Sequence, residues 1–213
     1  MVGTEAMART LLPLAYDAVR CAQCGKESNV PEIQPEVTLD SQTVYAGRLI
    51  EVHKDTVRLP NGATTSREIV LHPEVVVMLP VLEDGRLVMV RQYRKAVDRV
   101  LLEAPAGGID PGETPEDAVH REMIEETGYR VGALQHVTSF YSSPGITTEL
   151  MHLYTVTQLT PGTPTEESDQ LEVVLVTLEE ALGRIQRETA WDAKTLLALL
   201  WYARSLADSS GRQ

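Results

Sequence analysis

Three carboxylates define the chemistry open to this chain. Glu122, Glu125 and Glu126 stand at i, i+3 and i+4 in Gly107–Tyr129, which reads GGIDPGETPEDAVHREMIEETGY. Acidic side chains grouped on one side of a helix offer oxygen ligands to a hard divalent cation. Mg²⁺ binds in this way, often through one or two carboxylates plus waters and substrate phosphates. The elements that must hold these groups are written into the same stretch. Thr114 can N-cap, Pro115 suits the first helical position, and Glu116 and Asp117 suit the positive end of a helix. Gly128 is placed to stop it as a C′ glycine.

The arrangement is electrostatically awkward. Carboxylates near a helix C-terminus face the negative end of the macrodipole, and like charges at i, i+4 repel by about 0.2–0.5 kcal/mol. At ~100° per residue, Glu122 and Glu126 fall on the side of Ala118 and Val119, partly toward the body of the protein. A bound cation would offset this. Taken alone, EMIEE also reads as a solvated acidic face. The flanks favour the cation: Gly107 and Gly108 precede the helix in a loop with Pro111 and Gly112, where backbone can come close to an ion. Arg121 can pair with a carboxylate and orient it.

The stretch resembles the Nudix box, G-x5-E-x7-R-E-U-x-E-E-x-G-U, with U a bulky apolar residue. Gly107, Glu113, Arg121, Glu122, Met123, Glu125, Glu126 and Gly128 match, and Tyr129 fills a last slot that is more often aliphatic. The resemblance implies an α/β fold, a Nudix α/β/α sandwich with a mixed β-sheet, here preceded by an N-terminal antiparallel strand region. It also implies Mg²⁺-dependent hydrolysis of a nucleoside diphosphate linked to another group, with Mn²⁺ as the alternative metal.

Composition sets bounds. The chain's 213 residues allow one domain with a sizeable core and a smaller appendage, and 43% hydrophobic and 23% charged residues are ordinary for a globular protein. A net charge of −12 argues against general nucleic-acid binding, which needs a basic patch. It leaves metal ions and local arginines to neutralise a phosphate substrate. TLLPLAY is too short to span a membrane and is bounded by Glu5 and Asp17, so a cytoplasmic location is expected by default. Cys21 and Cys24 form a lone CxxC, open to readings as half a zinc site or a redox pair, with no second pair to complete four zinc ligands. No role in the main activity is expected for it.

Along the chain, residues 1–40 read as an appendage of unknown role, with a helix over Thr4–Ala22 interrupted near Pro13 and an extended linker at Pro31 and Pro35. Residues 41–72 read as a strand region, alternating from Thr43 to Leu71 with a turn at Pro60-Asn61-Gly62. The hydrolase domain is expected over 73–207 and a flexible tail over 208–213. VVVMLPVL and LVMV flank EDG and predict a hairpin. Strands are expected around His136–Phe140, Leu150–Thr157 and Leu171–Val176. Thr177 and Glu180 form a capping box, and Asp192 can cap a last helix whose Leu196, Leu197, Leu199 and Leu200 read as core. Strands around a central helix, with helices at the end, suit a layered α/β domain.

Outside the box, RQYR ending at Arg94, LEAPAGGIDPGE from Leu102, and FYSSPGITTE from Phe140 resemble the ADP-ribose pyrophosphatase branch of the family. Pro144 stands fifteen residues past Tyr129, where that branch commonly has proline. The resemblance runs from about Thr43 to about Ala203 and does not cover the first forty residues. It implies Glu122 and Glu126 as principal metal ligands, Glu125 as a further one, and the Ala106 carbonyl as a backbone ligand. Arg121 and Glu113 would tie the helix to the loop, with Gly107 and Gly128 shaping it. Arg94 would contact the diphosphate or its surroundings, and Ser143, Pro144 and Gly145 would bind substrate. Arg67 and Glu68 would lie near the adenine, reached across a homodimer. A loop glutamate would be the general base: Glu167 by the alignment of Leu171 with a strand start, with Glu166 the neighbouring alternative and Asp169 a second acid. The implied reaction is attack of water on ADP-ribose, giving AMP and ribose 5-phosphate. Three alternatives stand beside it: another nucleoside diphosphate sugar, a dinucleotide or flavin adenine dinucleotide as substrate; a hydrolase of oxidised nucleoside triphosphates; and a regulatory protein that only binds ADP-ribose.

Overall fold

The computed structural model describes residues 33–163, 171–187 and 190–210. The expected Thr4–Ala22 helix, the Cys21/Cys24 pair, and Glu166, Glu167 and Asp169 lie outside these residues.

The described chain opens with an antiparallel sheet of β1 (Val37–Ala46), β2 (Glu51–Arg58) and β3 (Thr64–Leu71), in that order. β1 begins at Val37, upstream of the alternation read from Thr43. Register shifts at Thr38/Asp40 and Thr43/Tyr45 break the period of two that would have revealed it. The Pro60-Asn61-Gly62 turn forms as expected: the Gly62 N–H donates to the Leu59 carbonyl at 2.9 Å, with Gly62 at φ 85°. β3 is then tied into the rest of the fold. The Val70 N–H donates to the Ile146 carbonyl (2.7 Å), and the Val70 carbonyl accepts from the Thr148 N–H (3.0 Å).

Every residue of β4 (Val75–Pro80) is buried. It is central in a mixed sheet, between β7 (Ala106–Gly108), antiparallel to it, and β9 (Leu150–Thr157), parallel to it. β8 (Ala133–Tyr141) adds antiparallel to β9. A second sheet is antiparallel throughout, with β5 (Leu87–Arg94) between β10 (Leu171–Val176) and β6 (Arg99–Glu103). The hairpin read at EDG needs correction. The tight turn is present, with Leu82 and Arg86 bonded across it, but only Val81 and Leu87 pair beyond it. β4 and β5 then part into different sheets. Pro80 has no N–H to lend a ladder, and the Val81 N–H goes to the Val156 carbonyl instead.

Alternation along β4 divides the core. Val76 and Met78 pack with Ala118 and Val119 of α1 (Pro115–Glu122) and with Met123. Val75, Val77 and Leu79 pack with Ala181 of α2 (Leu178–Arg187) and with Ala198 and Leu199 of α3 (Ala193–Ser210). Helices thus cover both faces, giving the α/β/α sandwich. Both terminal helices have the expected caps. Thr177 and Glu180 exchange hydrogen bonds at 2.8 and 3.1 Å, and the Asp192 carboxylate accepts from the Thr195 N–H at 3.0 Å. α3 stays helical to Ser210, past the residue where a tail was expected.

The leucine stripe of α3 is not uniform: Leu199 is fully buried and Leu200 is 51% exposed. Leu199→Ala should cost about 2–5 kcal/mol and Leu200→Ala under about 0.5 kcal/mol, read from denaturant midpoints at unchanged m-value.

Candidate active site

The carboxylate helix is built from local rules. The Thr114 hydroxyl accepts from the Asp117 N–H at 3.1 Å, Pro115 opens α1, and Gly128 ends the helical run at φ 74°. The last turn departs from the expected α-helix. Met123–Thr127 is a π turn, and the Thr127 hydroxyl donates to the Met123 carbonyl, competing for an acceptor that the ladder would use. Single π turns of this kind recur at functional sites.

Arg121 binds the helix to the loop before it. Its Nε and Nη2 form a fork on Glu113 (2.9 and 2.8 Å), its Nη1 donates to Glu122 (2.7 Å) and Glu125 (3.0 Å), and its Nη2 also reaches the Gly108 carbonyl (2.7 Å). These use the whole donor capacity of a guanidinium. The hydrogen bonds to Glu113 hold the Arg121 pKa far above its ordinary value and the Glu113 carboxyl below the usual carboxylate range.

Glu126 is treated differently. It is 8% exposed and accepts the Ala106 N–H at 3.1 Å. Burial, with the charge of Glu122 beside it, pushes its pKa up to about 8, against the opposing pull of the Ala106 N–H, Arg94 and Lys194. Glu122 fills the space over Gly107, where an added Cβ would fall 1.9 Å from its carboxyl carbon. A glycine is therefore required at that approach.

Among the described residues, no three ligating side chains stand ready-made around a point that would hold a metal ion. The donor chemistry nevertheless fits a hard cation. Glu122, Glu125 and Glu126 offer oxygen alone, Gly107 opens the approach, and the Glu126 charge is undercompensated.

The remaining sequence-derived residues divide by location. Arg94, at the end of β5, forms a fork on Glu103 at 2.8 Å through both Nε and Nη2 and acts electrostatically on Glu126. Ser143, Pro144 and Gly145 are exposed in the loop between β8 and β9. The Ser143 carbonyl accepts from the Ile146 N–H, and the Ile146 carbonyl in turn bonds β3. Arg67 and Glu68 lie on β3: Arg67 is paired with Glu36, and Glu68 stands opposite Lys54.

Sequence reading missed Glu103, Lys194 and Thr195. Glu103 is 1% exposed and takes Lys194 as well as Arg94. The Thr195 hydroxyl accepts from the Ala104 N–H at 2.8 Å, fixing the strand just before Ala106. One signal was available: Lys194 is a cation in the first turn of a helix, the end that disfavours positive charge.

The Nudix domain profile matches residues 70–199, and that of the nucleoside diphosphate sugar hydrolase N-terminal domain matches residues 36–70. The chain belongs to the Nudix family of hydrolases. It is 39% identical over 167 residues to the ADP-ribose pyrophosphatase of Bacillus subtilis (strain 168), covering 77% of this chain and 90% of that one. The methanol dehydrogenase activator of Bacillus methanolicus is 36% identical over the same shares. A solved structure described as an ADP compounds hydrolase superposes with a TM-score of 0.74 at 25% identity, covering 85% of this chain and 98% of that one.

A carboxyl whose folded-state pKa is raised favours the fold below its unfolded value, near 4.5, and loses that contribution as pH rises through the folded value, near 8. With divalent cations chelated, thermal stability should therefore fall between pH 5 and pH 9. Glu126→Gln should flatten that slope, measured as Tm against pH. An unchanged slope would remove Glu126 as its source.

Proposed function

We propose that this protein hydrolyses the diphosphate bond of ADP-ribose to AMP and ribose 5-phosphate, with Mg²⁺ as its metal. The observation that carries the reading is the buried Glu126 beside Glu122 at the glycine gap of Gly107. The substrate is drawn from the names of the Bacillus subtilis relative and the solved ADP compounds hydrolase. The profile over residues 36–70 also favours a second reading, another nucleoside diphosphate sugar.

In this mechanism Glu122 and Glu126 would hold the cation, with Glu125 and the Ala106 carbonyl as further ligands. When bound, Mg²⁺ would neutralise phosphate charge and acidify water. Arg121 and Glu113 keep the carboxylate helix docked to its loop, an arrangement supported by their hydrogen bonds. Arg94 contacts the diphosphate. Glu167, or Glu166 beside it, takes the proton from the attacking water.

A second copy of the chain is proposed to cover the N-terminal sheet. Val37, Leu39, Val44 and Tyr45 of β1 are each about half exposed, an apolar surface that a homodimer would bury. Arg67 and Glu68 would then reach the adenine end of the partner's site. No described helix is long and apolar enough to cross a membrane, and a cytoplasmic location is proposed.

With Mg²⁺, ADP-ribose should be cleaved faster than nucleoside diphosphate sugars, dinucleotides, flavin adenine dinucleotide and oxidised nucleoside triphosphates, with AMP and ribose 5-phosphate as products. A tenfold advantage for another compound would replace the substrate and keep the chemistry. Glu122→Gln and Glu126→Gln should each lower kcat/KM by more than the roughly 10–100-fold typical of residues that only orient ligands. Glu167→Gln should lower kcat while leaving Mg²⁺ binding intact; the same loss in Glu166→Gln alone would move the base to Glu166.

A further inference from the structure

Two cations share one buried carboxylate at the edge of the site. Glu103 accepts Arg94 Nε on one oxygen and Arg94 Nη2, with Lys194 Nζ, on the other. Lys194 is itself 7% exposed and also pairs with Asp192 at 2.9 Å. The Asp192 carboxylate is held in turn by the Thr195 N–H and hydroxyl. The four charges therefore sum to zero. Arg94 differs from Lys194 in being 41% exposed along its side chain, and among the described residues its Nη1 makes no hydrogen bond. Glu103 thus grips two of the three guanidinium nitrogens of a side chain that is still partly exposed.

We propose that Lys194, carried by the last helix, is a positioning residue for the hydrolytic reaction: it offsets the charge of Glu103, so that Arg94 is not drawn inward and keeps its attraction for a diphosphate. This rests on the reading of Arg94 as a diphosphate contact. The charge count gives the physical reason. Without Lys194, Arg94 would be fully neutralised by Glu103, and the group would carry a net −1 beside the acidic carboxylates and an anionic substrate. The unpaired share of a buried carboxylate would also pull the Arg94 guanidinium inward, since a buried charge that loses one partner draws on the other. Lys194 and Glu103 are 91 residues apart in sequence, so the device depends on α3 docking at the N-terminal end of the helix.

The test separates charge from architecture by removing the charges singly and in pairs. KM and kcat would be measured at saturating Mg²⁺ with ADP-ribose, or with whichever diphosphate the substrate panel selects, alongside Tm. Arg94→Met should raise KM about tenfold or more, as expected for loss of a charge-assisted contact. Lys194→Met should raise KM by a similar factor while kcat changes less than about threefold. The double variant Glu103→Gln with Lys194→Met restores the neutral count and should recover most of the lost KM. A structural role alone would not rescue KM by deleting a second polar group. An unchanged KM in Arg94→Met would overturn the diphosphate reading of Arg94. A raised KM in Arg94→Met with an unchanged KM in Lys194→Met, or a double variant no better than Lys194→Met, would overturn this inference. If Lys194→Met does not fold, the double variant decides alone: KM within about threefold of the parent supports the proposal, and KM raised about tenfold or more sinks it.

Discussion

A carboxylate buried beside another carboxylate is the constraint on which the rest of the site depends. Glu126 lies inside the protein with Glu122 next to it, at the helix end that least favours negative charge. Such a placement persists only when the surroundings over-determine it. The Ala106 N–H reaches Glu126, the glycine gap at Gly107 gives Glu122 room, and Arg121 draws Glu122 and Glu125 together with Glu113. All of these lie between Ala106 and Glu126, so the electrostatic problem of one turn fixes the packing of a short strand, a loop and a helix against one another.

The two layers of helix divide the labour. α1 brings the carboxylates and lies against Val76 and Met78. α3, on the other face, supplies the counter-charges through Lys194 and steadies the strand before Ala106 through Thr195. β4 is buried on both faces and transmits no polarity of its own. The carboxylates of α1 and the Lys194 of α3 thus stand on opposite sides of one apolar partition.

Much of this was legible because it was local. The start and stop of α1 follow from Thr114, Pro115 and Gly128, the cap of α2 from Thr177 and Glu180, and the hairpin turn from Asn61-Gly62, each within a few residues. What stayed hidden was set by distance or by competition. The parting of β4 and β5 depends on the Val81 N–H choosing Val156, far along the chain. The π turn carries a bond from the Thr127 hydroxyl to the Met123 carbonyl that no helical pattern in the sequence announces. Glu103 sat inside a recognised motif without a role because its pairing with Arg94 and Lys194 was invisible until the sheet and α3 brought them together. The Nudix box survives this limit because its spacing encodes a helix and a loop that touch each other within one short stretch.

The bond from the Ala104 N–H to Thr195, with the pairing of Glu103 and Lys194, has a consequence for biosynthesis. A chain emerging from the ribosome presents its whole carboxylate motif some seventy residues before Lys194 follows. Until then Glu103 has only Arg94, and nothing from α3 anchors the segment ahead of Ala106. An interrupted product that carries Glu122, Glu125 and Glu126 but stops short of Lys194 would therefore lack both the second partner of Glu103 and the Thr195 anchor of Ala104.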